Sequence, residues 1–171
     1  MFKKQWLAFV LAFVVPPVAV FAWWGGFATV SVRDTEAGPY RYAYLDYEGP
    51  ISNMRKTQRT ALKKFDLARV PAGDTITVLF TDPRADHGKV RAHVGYVLGE
   101  SDPVPEGLQA ARIARRPVVL ATVHAAVLLG PSKAYQALDE RGLAITMPTV
   151  ERYRPAGQAN RIGTFILEMN R

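Results

Sequence analysis

Few residues in this chain can do covalent chemistry. There is no cysteine, which excludes disulfides, thiolate metal sites and a cysteine nucleophile. The histidines, His87, His93 and His124, have no serine at a telling spacing, and there is no Gly-x-Ser-x-Gly turn, so serine–histidine–acid hydrolysis has no support. His124 falls on an apolar strand, where a satisfied core histidine is the expected role. Asp82, Asp86 and His87 share one polar loop and invite a metal reading, but their spacing fits no ligand pattern; no metal or cofactor is expected. What remains is aromatic and acidic. Tyr40, Tyr42 and Tyr44 alternate and give a strand with one ring-rich face, which is either core packing or the lining of a pocket. Tyr96 stands on a later strand. Glu151 and Tyr153, in Thr149-Val-Glu-Arg-Tyr153, also alternate and so share a face.

The elements that must position these residues occur twice. Tyr40-Arg-Tyr-Ala-Tyr-Leu-Asp-Tyr-Glu-Gly-Pro-Ile-Ser52 and Pro117-Val-Val-Leu-Ala-Thr-Val-His-Ala-Ala-Val-Leu-Leu-Gly-Pro-Ser132 are both β-rich runs that stop at Gly-Pro. Each leads into an amphipathic helical pattern and then into more strand-like sequence. A unit used twice predicts two halves about a pseudo-twofold axis, with a natural ligand groove between them. In the first half, Ser52 is the expected cap of a helix that carries Ile51, Met54, Ala61, Leu62 and Phe65 on one stripe. Arg55, Lys56, Arg59 and Lys63 take its other side, either as a solvated face or against anionic lipid. Strands follow at 75–80 and 89–98, the latter placing Val90, Ala92, Val94, Tyr96 and Leu98 on one face. The boundary between halves falls at 99–107. The second half repeats the order: a strand at 118–127, a helix at 133–141 capped by Ser132 with Ala134, Tyr135 and Leu138 inward, and strands at 145–153 and 162–169.

Lys3 and Lys4 precede a stretch from Trp6 to Phe27 without a charged residue, long enough to cross a bilayer as a helix. Trp6 at one end and Trp23-Trp24 at the other suit the two interfaces. Pro16-Pro17 predicts a kink. The alternative is a signal peptide cleaved after Val20-Phe-Ala22. The predicted organisation is a transmembrane anchor at 1–28, a linker at 29–39 with room for a short leading strand at Thr29 to Val32, and one domain at 40–171. The lysines before the span favour a cytoplasmic N-terminus, with a single pass and the domain extracytoplasmic; Arg33 and Arg41 just beyond it weaken that orientation. The net charge of +7 is spread along the chain with no basic run longer than a pair, so nucleic acid is not an expected partner. The fold class read from these patterns is α+β: duplicated βαββ units forming an antiparallel sheet with two helices on one face, preceded by one transmembrane helix.

The order Glu48-Gly-Pro-Ile51, Thr77-Val-Leu-Phe-Thr-Asp-Pro83, Val94-Gly-Tyr-Val97, Pro105-Glu-Gly-Leu108, Gly130-Pro-Ser132 and Thr149-Val-Glu-Arg-Tyr153 resembles the GyrI-like small-molecule-binding domains, which include effector-binding domains of AraC-type and MerR-type regulators. The resemblance implies a duplicated βαββ fold with a ligand groove between the halves. It also implies that Glu151 matches a glutamate that faces the groove and receives cationic or polar ligands. Otherwise Glu151 pairs at the surface with Arg152, Arg154 or another arginine. No helix-turn-helix accompanies the domain, so direct transcriptional control is not expected. The tryptophans with which many relatives stack a ligand are absent from 40–171, so Tyr42, Tyr44, Tyr96 and Tyr153 would have to serve. The expected function is a membrane-anchored module binding a hydrophobic or cationic small molecule. The alternatives are a hydrolase of reactive small molecules using the groove glutamate, and a membrane-associated interaction module. The patterns leave the oligomeric state open.

Overall fold

The computed structural model describes residues 2–84, 88–157 and 162–171, without the side chains of residues 2–5, 7 and 8. Along the chain run α1 (Phe2–Trp23), β1 (Ser31–Ala37), β2 (Tyr40–Pro50), α2 (Met54–Ala68), β3 (Thr75–Leu79), β4 (Lys89–Val97), β5 (Gln109–Ile113), β6 (Arg116–His124), α3 (Gly130–Glu140), β7 (Thr149–Arg154) and β8 (Thr164–Asn170). The strands form one antiparallel sheet in the order β1-β6-β8-β7-β3-β4-β2-β5. The two halves, β2-α2-β3-β4 and β6-α3-β7-β8, therefore meet at the β3–β7 pair, where Thr77 lies opposite Glu151 and Thr75 opposite Tyr153.

The repeat is longer than the sequence pattern predicts. The expected linker contains β1, with Val32 and Ala37 buried, and β1 pairs with β6 rather than with the β2 that follows it. β5 precedes β6 but pairs with β2. Each half thus lends its leading strand to the outer edge of the other, and the exchange ties the halves together.

Both helices of the domain lie on one face of the sheet. α2 presents Ala61 and Phe65 to Ala43, Tyr96 and Leu98. α3 presents Ala134 and Leu138, at the same four-residue spacing, to Ala121, Val123 and Leu167. Burying Phe65 and Leu138 contributes about 1.5–3 kcal/mol each. The expected serine caps are absent. Ser52 lies in the single 3-10 turn Ile51–Asn53 before α2 and makes no cap bond there. Ser132 falls inside the first turn of α3, because Gly130-Pro131 already starts that helix, and its hydroxyl donates back to the Leu129 carbonyl at 3.0 Å.

The opposite face is buried as well, because the sheet curls on itself. Tyr42, Tyr44, Ile76, Val78 and Val150 form a cluster there. Beside it Glu168, with no exposed surface, accepts from Arg152 Nε at 3.1 Å, Arg116 Nη2 at 3.1 Å and the Tyr40 hydroxyl at 2.9 Å. Arg152 also reaches Asp74 at 3.2 Å. A buried carboxylate so partnered has its desolvation offset, and the network locks β7, β8, β6 and β2 to one another.

α1 runs unbroken through Pro16-Pro17. Among the described residues no helix is long and apolar enough to cross a membrane, so the expected transmembrane segment at 1–28 is not supported. The charge-free stretch and the helix are offset: α1 ends at Trp23, before Phe27, and its first turn carries Lys3 and Lys4. Phe9, Phe13, Val15, Val18 and Phe21 are all exposed large apolar side chains along it.

Candidate ligand-binding groove

The seam between the halves is a floor with two walls. Thr75 and Thr77 of β3, Glu151 and Tyr153 of β7 and Phe165 of β8 share the helix-bearing face by strand alternation. α2 and the turn before it supply one wall, with Ile51, Met54, Arg55 and Gln58. Val127, Leu128 and Pro131, in the β6–α3 connection and the first turn of α3, supply the other. Together they enclose a groove of about 530 Å3, within the size range of small-molecule sites. The lining is mostly apolar, and its one carboxylate is Glu151.

Glu151 does not pair with its neighbouring arginines. Those point to the other face or to the strand end, Arg152 to Glu168 and Asp74, Arg154 to Asp74. The partner of Glu151 is Tyr135 of α3, whose hydroxyl donates to Oε1 at 2.9 Å and also lies 3.2 Å from Thr149 Oγ1. Burial pushes the Glu151 carboxyl up to about 7, and the tyrosine hydrogen bond opposes that rise without cancelling it. The Tyr135 hydroxyl is itself pushed far up, by burial first and then by the adjacent carboxylate, so at neutral pH it acts as a donor. The groove therefore holds a carboxyl poised between its neutral and charged forms and short of counter-charge.

Of the residues singled out in the sequence, Glu151 and Tyr153 lie in this groove, and Tyr153 accepts a hydrogen bond from the Gly163 amide at 2.9 Å. Tyr42, Tyr44 and Tyr96 are not brought to it. Tyr96 lies under α2 against Phe65, with ring centroids 5.6 Å apart. Tyr42 and Tyr44 are on the opposite face, because Ala43 between them takes the helix side. There the Tyr42 hydroxyl meets His93 Nδ1 at 2.9 Å, and Tyr44 stacks on the same imidazole at 3.8 Å. The same imidazole lines a second hollow of about 490 Å3, together with Asp46, Glu48, Phe80 and Arg91 among others. Its carboxylates, Asp46 and Glu48, are exposed, and Asp46 accepts from Gln109 Nε2 at 2.6 Å, so they stay hydrated and lack the desolvation that sets Glu151 apart. His124 is not a core residue: it ends β6, exposed, with Nδ1 3.2 Å from Thr164 Oγ1. Of the metal reading, Asp82 pairs with Arg84 at 3.1 Å, while Asp86 and His87 lie outside the described residues.

Tyr135 is the residue that reading the sequence for chemistry passed over. Its place on the inward stripe of α3 was legible, but its hydroxyl meets Glu151 only once α3 has docked over β7.

No family model and no curated protein matches the chain. Solved structures do. The C-terminal domain of EcmrR matches with a TM-score of 0.61 at 12% identity, over 82% of this chain and 96% of that one. SAV2435, solved bound to tetraphenylphosphonium, matches with a TM-score of 0.58 at 9% identity, over 82% of this chain and 94% of that one. An integron cassette protein from the mobile metagenome of Vibrio cholerae matches at 0.54 and 8%, over 84% and 97%. The chain shares their fold. That agrees with the duplicated βαββ fold implied by the sequence resemblance. The match to EcmrR in its DNA complex reaches 98% of this chain and 68% of that one, so it takes in α1 as well as the domain.

Proposed function

We propose that the protein is a membrane-attached receptor for a hydrophobic organic cation, held in the groove between the two halves. The observation that carries this reading is Glu151: a buried, ionisable carboxyl on the floor of a mostly apolar groove, with one tyrosine as its partner. A diffuse cation with apolar flanks supplies the missing charge and fills the apolar walls, with Tyr153 and Phe165 available for ring contact. That SAV2435 was solved with tetraphenylphosphonium, a ligand of this chemistry, supports it. Attachment rests on the charge-free stretch from Trp6 to Phe27 and on the exposed apolar side chains of α1, with the domain on the extracytoplasmic side of the cell membrane because Lys3 and Lys4 precede the stretch.

The experiment is a calorimetric titration of the full chain with tetraphenylphosphonium at pH 8. Saturable binding that weakens at least tenfold in Glu151→Gln is the expected result. Absence of binding, or equal binding by the variant, overturns the proposal.

A second reading, hydrolysis of reactive small molecules, is favoured by the same Tyr135–Glu151 pair, because a carboxyl near 7 can take up and return a proton at neutral pH. Turnover of a strained electrophile that disappears in Glu151→Gln would select this reading over simple capture.

A further inference from the structure

The exit of α1 is not a loose tether. The Ala126 amide donates to the Trp24 carbonyl at 2.9 Å, and Lys133 Nζ donates to the Gly26 carbonyl at 2.7 Å. Gly25, at φ +79°, lies so close to the backbone of His124 and Ala125 that a Cβ would not fit. Ala28 and Val30 then pack into the core beneath α3. The end of the apolar helix is thereby fixed against the β6–α3 connection, which is also a wall of the groove.

This junction gathers exposed apolar side chains beside the groove, with Val127 and Leu128 in its lining and Trp24 and Phe27 next to them along the chain's contact with Ala126. Val127 and Leu128 are 48% and 61% exposed, Trp24 and Phe27 47% and 70%. Ile51 on the facing wall is 41% exposed. Large apolar residues grouped around an opening mark a surface that meets something apolar. Arg55 in the groove wall and Lys133 in the first turn of α3 put cationic groups beside them, which complement phosphate. Indole and phenyl rings beside basic groups suit the layer between headgroups and acyl chains.

We propose that the rim formed by Trp24, Phe27, Val127 and Leu128 rests in the interfacial layer of an anionic phospholipid bilayer, so that the groove opens onto the lipid and takes its ligand from there rather than from bulk water. This rests on the reading of α1 as membrane-inserted. It adds that the domain has one fixed orientation on the surface, mouth down.

The natural chain has no cysteine, so single cysteines can be labelled cleanly. Leu128→Cys tests the rim, with Val127→Cys as its repeat should the first variant fold poorly. Val14→Cys tests α1. Leu67→Cys, at an 85% exposed site in the last turn of α2, is the control, about 14 Å along that helix from Gln58 of the groove wall. Each full-length variant carries a nitroxide and is reconstituted into phosphatidylglycerol–phosphatidylcholine vesicles. Collision with oxygen is then compared with collision with a water-soluble nickel chelate by power-saturation EPR. Labels at 14 and 128 colliding several-fold more with oxygen, and the label at 67 with nickel, are the expected result. A label at 128 on the nickel side with 14 on the oxygen side overturns the rim proposal and leaves the membrane helix standing. A label at 14 on the nickel side, with or without spin–spin broadening from a second copy, overturns both.

Discussion

Replacing Glu151 by glutamine should make the protein more stable and less able to bind, and the size of the first effect follows from the site. Glutamine keeps an oxygen that can accept from Tyr135, but it cannot ionise. In the folded protein the carboxyl is pushed up to about 7 from an ordinary 4.5, with burial as the main cause. At 1.36 kcal/mol per pH unit that gap amounts to roughly 3 kcal/mol. The sign runs against the usual acidic case. Below pH 4.5 the group is protonated whether the chain is folded or not, and it has no effect. Between 4.5 and about 7 the unfolded chain ionises while the folded one holds its proton, so stability falls as pH rises. Above about 7 the whole penalty is present. Glu151→Gln removes that slope, so its advantage over the natural protein should be absent near pH 4 and grow to about 3 kcal/mol at pH 8, less whatever the unpartnered amide nitrogen costs. Guanidinium unfolding of the full chain in detergent at a series of pH values measures this directly. A variant that is equally stable relative to the natural protein at pH 4.5 and pH 8 would refute the reasoning, since the buried carboxyl would then not be held neutral. Tetraphenylphosphonium binding should follow the complementary course, tightening from pH 5 to about 7 and then levelling off.

Three further perturbations probe the parts that build the site. Tyr135→Phe removes the hydrogen bond that favours the charged form of Glu151. The pH at which binding reaches its plateau should then move above 7, with a stability loss of about 1–2 kcal/mol at pH 8, both read from the same titrations. Arg152→Ala should cost about 3–5 kcal/mol, because it leaves Glu168 buried with one of its two guanidinium partners gone; chemical denaturation checks it. Gly95→Ala would drive a Cβ into the Ala43 carbonyl of the neighbouring strand, and should destabilise by about 1–3 kcal/mol while raising amide exchange in β2 and β4.

Much of this was legible where the pattern is local. The alternation of Val90, Ala92, Val94, Tyr96 and Leu98 marked β4 and grouped one of its faces, and the stripes Ala61–Phe65 and Ala134–Leu138 marked the buried sides of both helices. The two Gly-Pro stops revealed the repeat. What failed was whatever depends on pairing across the chain. β1 is short, polar and next to β2 in sequence, and nothing in Ser31–Ala37 says that its partner is β6, whose paired residues lie 79 to 91 positions further along the chain. The alternation of Tyr42 and Tyr44 correctly made one ring-rich face, but a strand pattern does not say which face the helices will cover. Both faces of this sheet are buried, so aromatic character alone could not choose the groove. Glu168 was visible in the apolar run Phe165-Ile-Leu-Glu-Met169 and should have drawn notice, since a charge there must have partners. For the N-terminus, composition gave a span where the described helix falls short of one.

The most direct test of a ligand groove at the β3–β7 seam is crystallographic. Tetraphenylarsonium is tetraphenylphosphonium with an anomalous scatterer at its centre. Crystals of the full chain grown with it above pH 7 should give one arsenic peak between α2 and the Val127–Pro131 wall, above Glu151. A peak on the opposite face beside His93 and Asp46, with the seam empty, would contradict the assignment.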